Sequence, residues 1–195
     1  MKRNKYLSNG RLLSLPASEK VVNVNIKSTE SLGKALSLTY PKQFTTIVGV
    51  AACIKNFLDY LTKVDYPIDL LSKTSITKKD LVRIPKKTNM VINYWSMAAY
   101  ALTERIKQDT KLFNLIKENK LEYTSFNSTT NMVVDNVEVE ITVPDLKMCR
   151  YISIIRHIDY LIKNDLFDEA NITELINNCK NDATKSIFAG TKLEP

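Results

Sequence analysis

Apolar residues recur at helical spacing over most of this chain. Between Thr39 and Leu61 they follow the period of about 3.6 residues that is typical of an amphipathic helix. Pro41 lies where the first turn of a helix tolerates proline, so we expect one helix from about Thr39 to Leu61. Its apolar positions are Phe44, Ile47, Val48, Ala51, Ile54, Leu58 and Leu61. A short helix through Leu32 and Leu36 is expected before it, capped by Ser28 or Thr29.

The segment from Met90 to Ile106 is apolar on nearly every side of a helix. Its apolar positions include Met90, Val91, Tyr94, Trp95, Ala98, Ala101, Leu102 and Ile106. A helix that is apolar all round is buried all round. We therefore predict that this helix, capped by Thr88 or Asn89, forms the centre of the fold.

Several shorter helical patterns complete the helical part. They are KKDLVRI after Thr77, PIDLLSK, the segment through Leu112 and Ile116, residues 145–164, and a last helix capped by Asn171 with Glu174. The period changes to two from Leu121, where Val137, Val139, Ile141 and Val143 alternate with Glu138, Glu140 and Thr142. This alternation predicts an antiparallel β-hairpin at about 121–143, with its reversal between Ser128 and Asn136.

Residues 1–27 contain Asn9-Gly10, Pro16 and the alternating run VVNVNI. Such a segment has too little apolar surface to fold on itself, which leaves a flexible tail or an extended arm that adds to another surface, such as a neighbouring subunit. The alternation of Val22, Val24 and Ile26 favours the extended N-terminal arm, with these three residues as its partner contacts. The predicted fold is mostly α: a single helical domain over 28–190 with an inserted antiparallel β-hairpin, the extended N-terminal arm before it, and a C-terminal tail at 191–195.

Composition favours a soluble, intracellular protein with an anionic or protein partner. The chain has 195 residues, 44% hydrophobic and 25% charged, which matches ordinary globular domains. Its net charge of +7 favours contact with anions such as nucleic acid, and its lysine- and asparagine-rich composition is common in AT-rich genomes, including those of phages and viruses. Cys53, Cys149 and Cys179 are widely spaced in apolar patterns, which predicts buried free thiols in a reducing cytoplasmic compartment. No apolar run reaches membrane-spanning length, so no membrane partner is expected.

The sequence offers little chemistry for catalysis. His157 is the only histidine and the cysteines form no CxxC pair, so we expect neither a metal site nor a cofactor. Glu138 and Glu140 share one exposed strand face, where acidic residues usually aid solubility. Phosphate-binding glycine loops and nucleophile motifs are absent, and no small-molecule substrate is indicated. We therefore expect a non-enzymatic protein without catalytic residues.

The basic segment beginning at Thr77 has the order of elements of a helix-turn-helix motif. It predicts a short helix, a break at Pro85 and a second helix that begins with basic residues. Its candidate nucleic-acid contacts are Lys78, Lys79, Arg83, Lys86, Lys87, Asn89 and Asn93. A recognition helix needs a free polar face, and the segment from Met90 to Leu102 has almost none. The leading prediction is therefore an assembly protein, such as a phage or virus connector or ring subunit, that forms homo-oligomers through its arm and hairpin. The alternative is a nucleic-acid-binding protein that uses residues 77–107.

Overall fold

The computed structural model describes residues 15–16, 20–74, 93–126, 129–134, 137–142 and 145–180. Side chains are described throughout these ranges except at most positions of the 129–142 hairpin and at residues 15, 16, 146 and 180. The predicted helix at 78–84 and the tails at 1–14 and 191–195 lie outside the described residues. None of the described helices combines the length and the apolar composition that crossing a bilayer needs.

The fold is mostly α, as predicted, with short strands between the helices. The described strands are β1 (Leu15–Pro16), β2 (Val22–Asn23), β3 (Phe44–Thr46), β4 (Gly49–Ala51), β5 (Tyr123–Thr124), β6 (Thr129–Val134) and β7 (Val137–Thr142). The described helices are α1 (Ser31–Leu36), α2 (Ile54–Thr62), α3 (Ile68–Ser72), α4 (Tyr94–Gln108), α5 (Thr110–Glu118), α6 (Cys149–Lys163) and α7 (Glu169–Lys180), and a 3-10 turn at Leu146–Met148 precedes α6.

Helix α4 is the centre of the packing, which confirms the prediction from its apolar composition. It contacts α2, α5, α6, α7 and β3. Ala98, Ala99, Ala101 and Leu102 are fully buried, and Tyr94 and Trp95 are half-buried against the core. Small alanine side chains on α4 let neighbouring helices approach closely, because they leave little volume between the backbones.

The predicted helix from Thr39 to Leu61 is wrong in its first half. Residues 44–51 form the antiparallel pair β3–β4, in which Phe44 faces Ala51 and Thr46 faces Gly49, and only α2 is helical. The segment FTTIVGV is rich in β-branched residues, which favour strands over helices. Gly49 has φ of 126°, a conformation that other residues rarely adopt and that permits the tight reversal.

The prediction that Val22 and Val24 bind a partner is also wrong. Both residues are only 2% exposed and belong to the same hydrophobic core as the helices. Strand β2 pairs in parallel with β5, and the N–H groups of Val22 and Val24 donate to Glu122 and Thr124 at 2.8 and 2.7 Å. The alternating pattern marked a half-buried strand, but the surface that buries it comes from the same chain.

The predicted β-hairpin at 121–143 is present as β6 and β7, with Val134 opposite Val137 at the reversal. Strand β1 pairs with the outer edge of β7, and β5 lies outside the hairpin because it pairs with β2. Glu138 is exposed, as expected for its face of β7. The side chains of Val137, Val139 and Ile141 are not among those described, so their burial stays a prediction.

The predicted cap of α1 at Ser28 or Thr29 is wrong, because Glu30 precedes the first turn and its side chain makes no capping hydrogen bond. Two other predicted helix caps are displaced along the chain. Asn93, not Thr88 or Asn89, caps α4, and its Oδ1 accepts from the N–H groups of Trp95 and Ser96 at 3.0 and 3.3 Å. At α7 the first turn is held by Asp168, whose Oδ1 accepts from the Asn171 N–H at 2.9 Å. Both caps are residues whose short side chains reach the free N–H groups of a first turn.

Candidate interaction surface

Three large apolar side chains are exposed on adjacent elements of the fold. Ile47 lies at the reversal between β3 and β4 and is 76% exposed, Val50 on β4 is 45% exposed, and Ile68 on α3 is 59% exposed. Helix α3 lies against β4. Other exposed large apolar residues of the described chain lie on separate elements, namely Ile26, Leu121, Val133, Tyr160 and Leu166. We call the surface formed by Ile47, Val50 and Ile68 the hairpin surface, after the β3–β4 hairpin.

The β3–β4 reversal is held by its own side chains. The Thr46 hydroxyl donates to the Gly49 carbonyl at 2.7 Å and accepts from the Val48 N–H at 3.2 Å. Thr46 is therefore buried and satisfied, while Ile47 is directed outward at the turn. An isoleucine at a hairpin turn gains nothing from the core, because turn positions lie at the surface.

Helix α4 fixes the hairpin from the side. The carboxamide of Gln108 accepts from the Thr45 N–H at 2.7 Å and donates to the Thr45 carbonyl at 2.9 Å. The Tyr100 hydroxyl accepts from the Ile47 N–H at 3.2 Å, so two α4 side chains bind the hairpin backbone. Burial raises the pKa of Tyr100, whose hydroxyl therefore stays protonated at neutral pH.

A buried asparagine fixes α3 to α2. The Asn56 side-chain N–H₂ group lies 3.0, 3.3 and 2.9 Å from the carbonyls of Leu70, Leu71 and Lys73. These carbonyls lie at the C-terminal end of α3, where a helix has no further backbone N–H groups to donate to them. The Ala52 N–H also donates to the Leu71 carbonyl at 2.8 Å. The hairpin surface therefore rests on elements whose backbones are tied to α2 and α4.

Within the described residues, one backbone position on the outer edge of β4 has no hydrogen-bond partner. Thr45 directs both its N–H and C=O to Gln108, so the pair of Thr45 and Val50 is the non-hydrogen-bonded kind. The N–H and C=O of Val50 consequently point away from β3. The N–H of Ala52, two residues further along the chain, already donates to the Leu71 carbonyl. The open edge is therefore centred on Val50. Open strand edges are templates for pairing with another chain.

The hairpin surface carries no chemistry suited to catalysis. Ile47, Val50 and Ile68 are uncharged, and within the described residues no group of three His, Cys, Asp or Glu side chains is arranged to hold a metal ion. Cys53 lies between β4 and α2 and is buried. Burial raises its pKa, so its thiol is a poor nucleophile at neutral pH. The arrangement is suited to binding another apolar surface.

The structure describes one of the residues that the sequence proposed as a nucleic-acid site. Lys78, Lys79, Arg83, Lys86, Lys87 and Asn89 lie outside the described residues. Asn93 lies at the start of α4, where its side-chain oxygen serves as the helix cap. Of the three proposed arm contacts, Ile26 alone is exposed, at 40%.

Sequence reasoning missed the hairpin surface because it assigned Ile47 and Val50 to a helix. The usable signal was the run of β-branched residues beside Gly49, a combination typical of a strand followed by a tight turn. Nothing in the local sequence marked Gln108 as the residue that would bind Thr45. Comparisons with protein-family models, curated proteins and solved structures found no match to this chain.

Proposed function

We propose that this protein is a non-enzymatic assembly protein whose hairpin surface binds a second copy of the same chain. The observation that carries this proposal is the exposure of Ile47, Val50 and Ile68 on backbone that is rigidly held. Apolar side chains on a fixed backbone lose less conformational entropy when they bind than those on a mobile segment, so they contribute efficiently to an interface. Contacts of this kind act as anchors when a partner covers them.

A second copy fits the hairpin surface for two reasons. Two molecules that each carry a charge of +7 repel one another, so their contact is favoured at an uncharged surface. The open edge at Val50 is self-complementary, because antiparallel pairing of two β4 strands about a two-fold axis presents the same residue from each side. A closed dimer of this kind satisfies both Val50 edges at once.

The wider assignment is to a structural component of a phage or virus, such as a connector or ring subunit. It is supported by the lysine- and asparagine-rich composition and by the absence of catalytic motifs in the sequence. The exposed Ile26 and the β6–β7 hairpin, where Val133 is 66% exposed, offer further contacts for a larger ring.

Light scattering after size-exclusion chromatography tests the proposal. We expect the mass of the full-length protein to rise with concentration, and Ile47→Glu combined with Ile68→Glu to shift it to the monomer mass. Leu121→Glu is the matched control, since Leu121 is 37% exposed on a separate element, and it should leave the mass unchanged. Circular dichroism should show the same helix content in all three proteins. A full-length protein that stays monomeric at every concentration contradicts the proposal.

Nucleic-acid binding is the second candidate, favoured by the net charge of +7. If it holds, the affinity for duplex DNA falls as the salt concentration rises. Lys86→Glu combined with Lys87→Glu should weaken binding and flatten this salt dependence, because a protein that contacts fewer phosphates releases fewer counterions when it binds. Unchanged affinity and slope in that variant remove these two lysines from the candidate site.

A further inference from the structure

Arg105 is the largest fully buried side chain of the described structure. It lies in the last turn of α4, and its exposed fraction is 0%. Its Nε, Nη1 and Nη2 atoms are all buried, and none has a hydrogen-bond partner among the described residues. A guanidinium group carries five N–H donors and stays charged in proteins, so this site holds an uncompensated set of donors.

The side chains around Arg105 do not supply acceptors. The ring of Tyr40 stacks on the guanidinium, with its centroid 5.0 Å from Cζ, a cation–π contact. The Tyr151 hydroxyl donates to the Leu36 carbonyl at 3.0 Å, and the Cys53 thiol donates to Asn56 Oδ1 at 3.2 Å. Burial lowers the pKa of Arg105, and it raises the pKa of Tyr151 and of Cys53, so both neighbours are neutral.

Asp109 is the nearby carboxylate, one helical turn beyond Arg105. Its Oδ1 accepts from the Leu112 N–H at 3.2 Å as the cap of α5, and its Oδ2 lies 3.9 Å from Lys42 Nζ. Asp109 acts on the charge of Arg105, but neither of its oxygens accepts a hydrogen bond from the guanidinium. Arg105 and Lys42 together with Asp109 leave a local charge of +1, which one monoanion neutralises.

We propose that Arg105 anchors a buried binding site for one small oxyanion, a carboxylate or a phosphate group. The planar fork of a guanidinium matches two oxygens of such a group, and the pairing is strong where water is excluded. Arg105 is fully buried and the partly exposed ring of Tyr40 covers its guanidinium, so an anion reaches this group when the Tyr40 ring moves aside. Lys42, on the same loop and 51% exposed at its side chain, attracts the anion to this entrance.

The experiment measures the melting temperature of the full-length protein in sodium acetate, sodium phosphate or sodium chloride, with ionic strength held constant by sodium HEPES. An anion that binds only the folded state raises the melting temperature until the site saturates. We expect acetate or phosphate to give a saturable rise and chloride to give less. The oxyanion with the larger effect identifies the class of ligand.

Arg105→Met keeps the apolar stem of the side chain and removes its charge. We expect this variant to be at least as stable as the wild type without added anion, since it removes an unpaired buried charge, and to show no anion-dependent rise. The matched control is Arg156→Met, because Arg156 Nη2 already donates to the Tyr123 carbonyl at 2.8 Å. That control should lose stability and keep the anion response.

Arg105→Lys provides a second variant that keeps the charge without the fork, and its affinity for the preferred oxyanion should fall by about ten-fold. Four results overturn the proposal. They are no rise with acetate or phosphate in the wild type, an equal rise with chloride, an unchanged rise in Arg105→Met, and unchanged affinity in Arg105→Lys.

Discussion

The side chain of Gln108 binds the backbone of Thr45 as a neighbouring strand would. It accepts from the Thr45 N–H and donates to the Thr45 carbonyl, at 2.7 and 2.9 Å. A two-stranded hairpin is only marginally stable by itself, and Gln108 occupies the edge where a third strand would pair. The hairpin surface thus depends on a helix residue far from it in sequence.

Gln108→Ala should loosen the hairpin without unfolding the protein. It removes two hydrogen bonds from a largely exposed site, so we expect the free energy of unfolding to fall by about 1 kcal/mol. Amide exchange at Thr45 should accelerate by about ten-fold, because local opening of the strand no longer breaks those bonds. Gln43→Ala, at an exposed position of the preceding loop, is the control and should change neither. Unchanged exchange at Thr45 contradicts the proposed bracing.

Asn93 should affect stability rather than nucleic-acid affinity. Asn93→Ala removes the cap of α4 and should lower the free energy of unfolding by about 1 kcal/mol in urea denaturation. Asn93→Asp keeps a capping oxygen and should retain nearly all of the stability. Any duplex binding should be the same in Asn93→Asp as in the wild type. Weaker binding in this variant would instead place Asn93 at the phosphate backbone, since the new carboxylate repels it.

The three cysteines should differ in their rate of alkylation in the folded protein. Cys149 is half-buried, whereas Cys53 and Cys179 are buried. Burial raises the pKa of Cys179 to about 11, so roughly one molecule in a thousand carries the reactive thiolate there at pH 8. With iodoacetamide at pH 8, mass spectrometry should show Cys149 modified first.

Two controls accompany the alkylation experiment. Cys149→Ser should remove the fast phase, and in concentrated urea the remaining cysteines should react at similar rates because burial no longer protects them. Native-state modification of Cys179 at the rate of Cys149 would show that α7 opens readily from α4. That outcome would contradict the tight packing of these two helices.

The placement of α4 could be predicted because its sequence leaves no alternative. A segment in which Ala98, Ala101 and Leu102 are accompanied by apolar residues on the other sides must be covered on all of them. The β6–β7 hairpin was likewise predictable, since a strict period of two over six residues does not suit a helix. Both predictions rest on long patterns that fit one period only.

The region 44–51 was mispredicted because its pattern fits two periods. Phe44, Ile47 and Val48 have helical spacing, but a run this short fits a strand as well. The β-branched residues and the adjacent Gly49 favour the strand. The choice depends on a partner: Gln108 and Tyr100 supply the hydrogen bonds that make the hairpin stable. Such partners are not encoded in local spacing.

The sequence by itself determined the class of fold, the central helix and the β6–β7 hairpin, because each follows from the periodicity of one continuous segment. Tertiary structure alone decided that Val22 is buried beside Tyr123 in its own chain, that Ile47 is exposed at a turn, and that Arg105 is enclosed without an acceptor from the described residues. Burial depends on which distant segments meet, and side-chain spacing within a segment does not specify its neighbours.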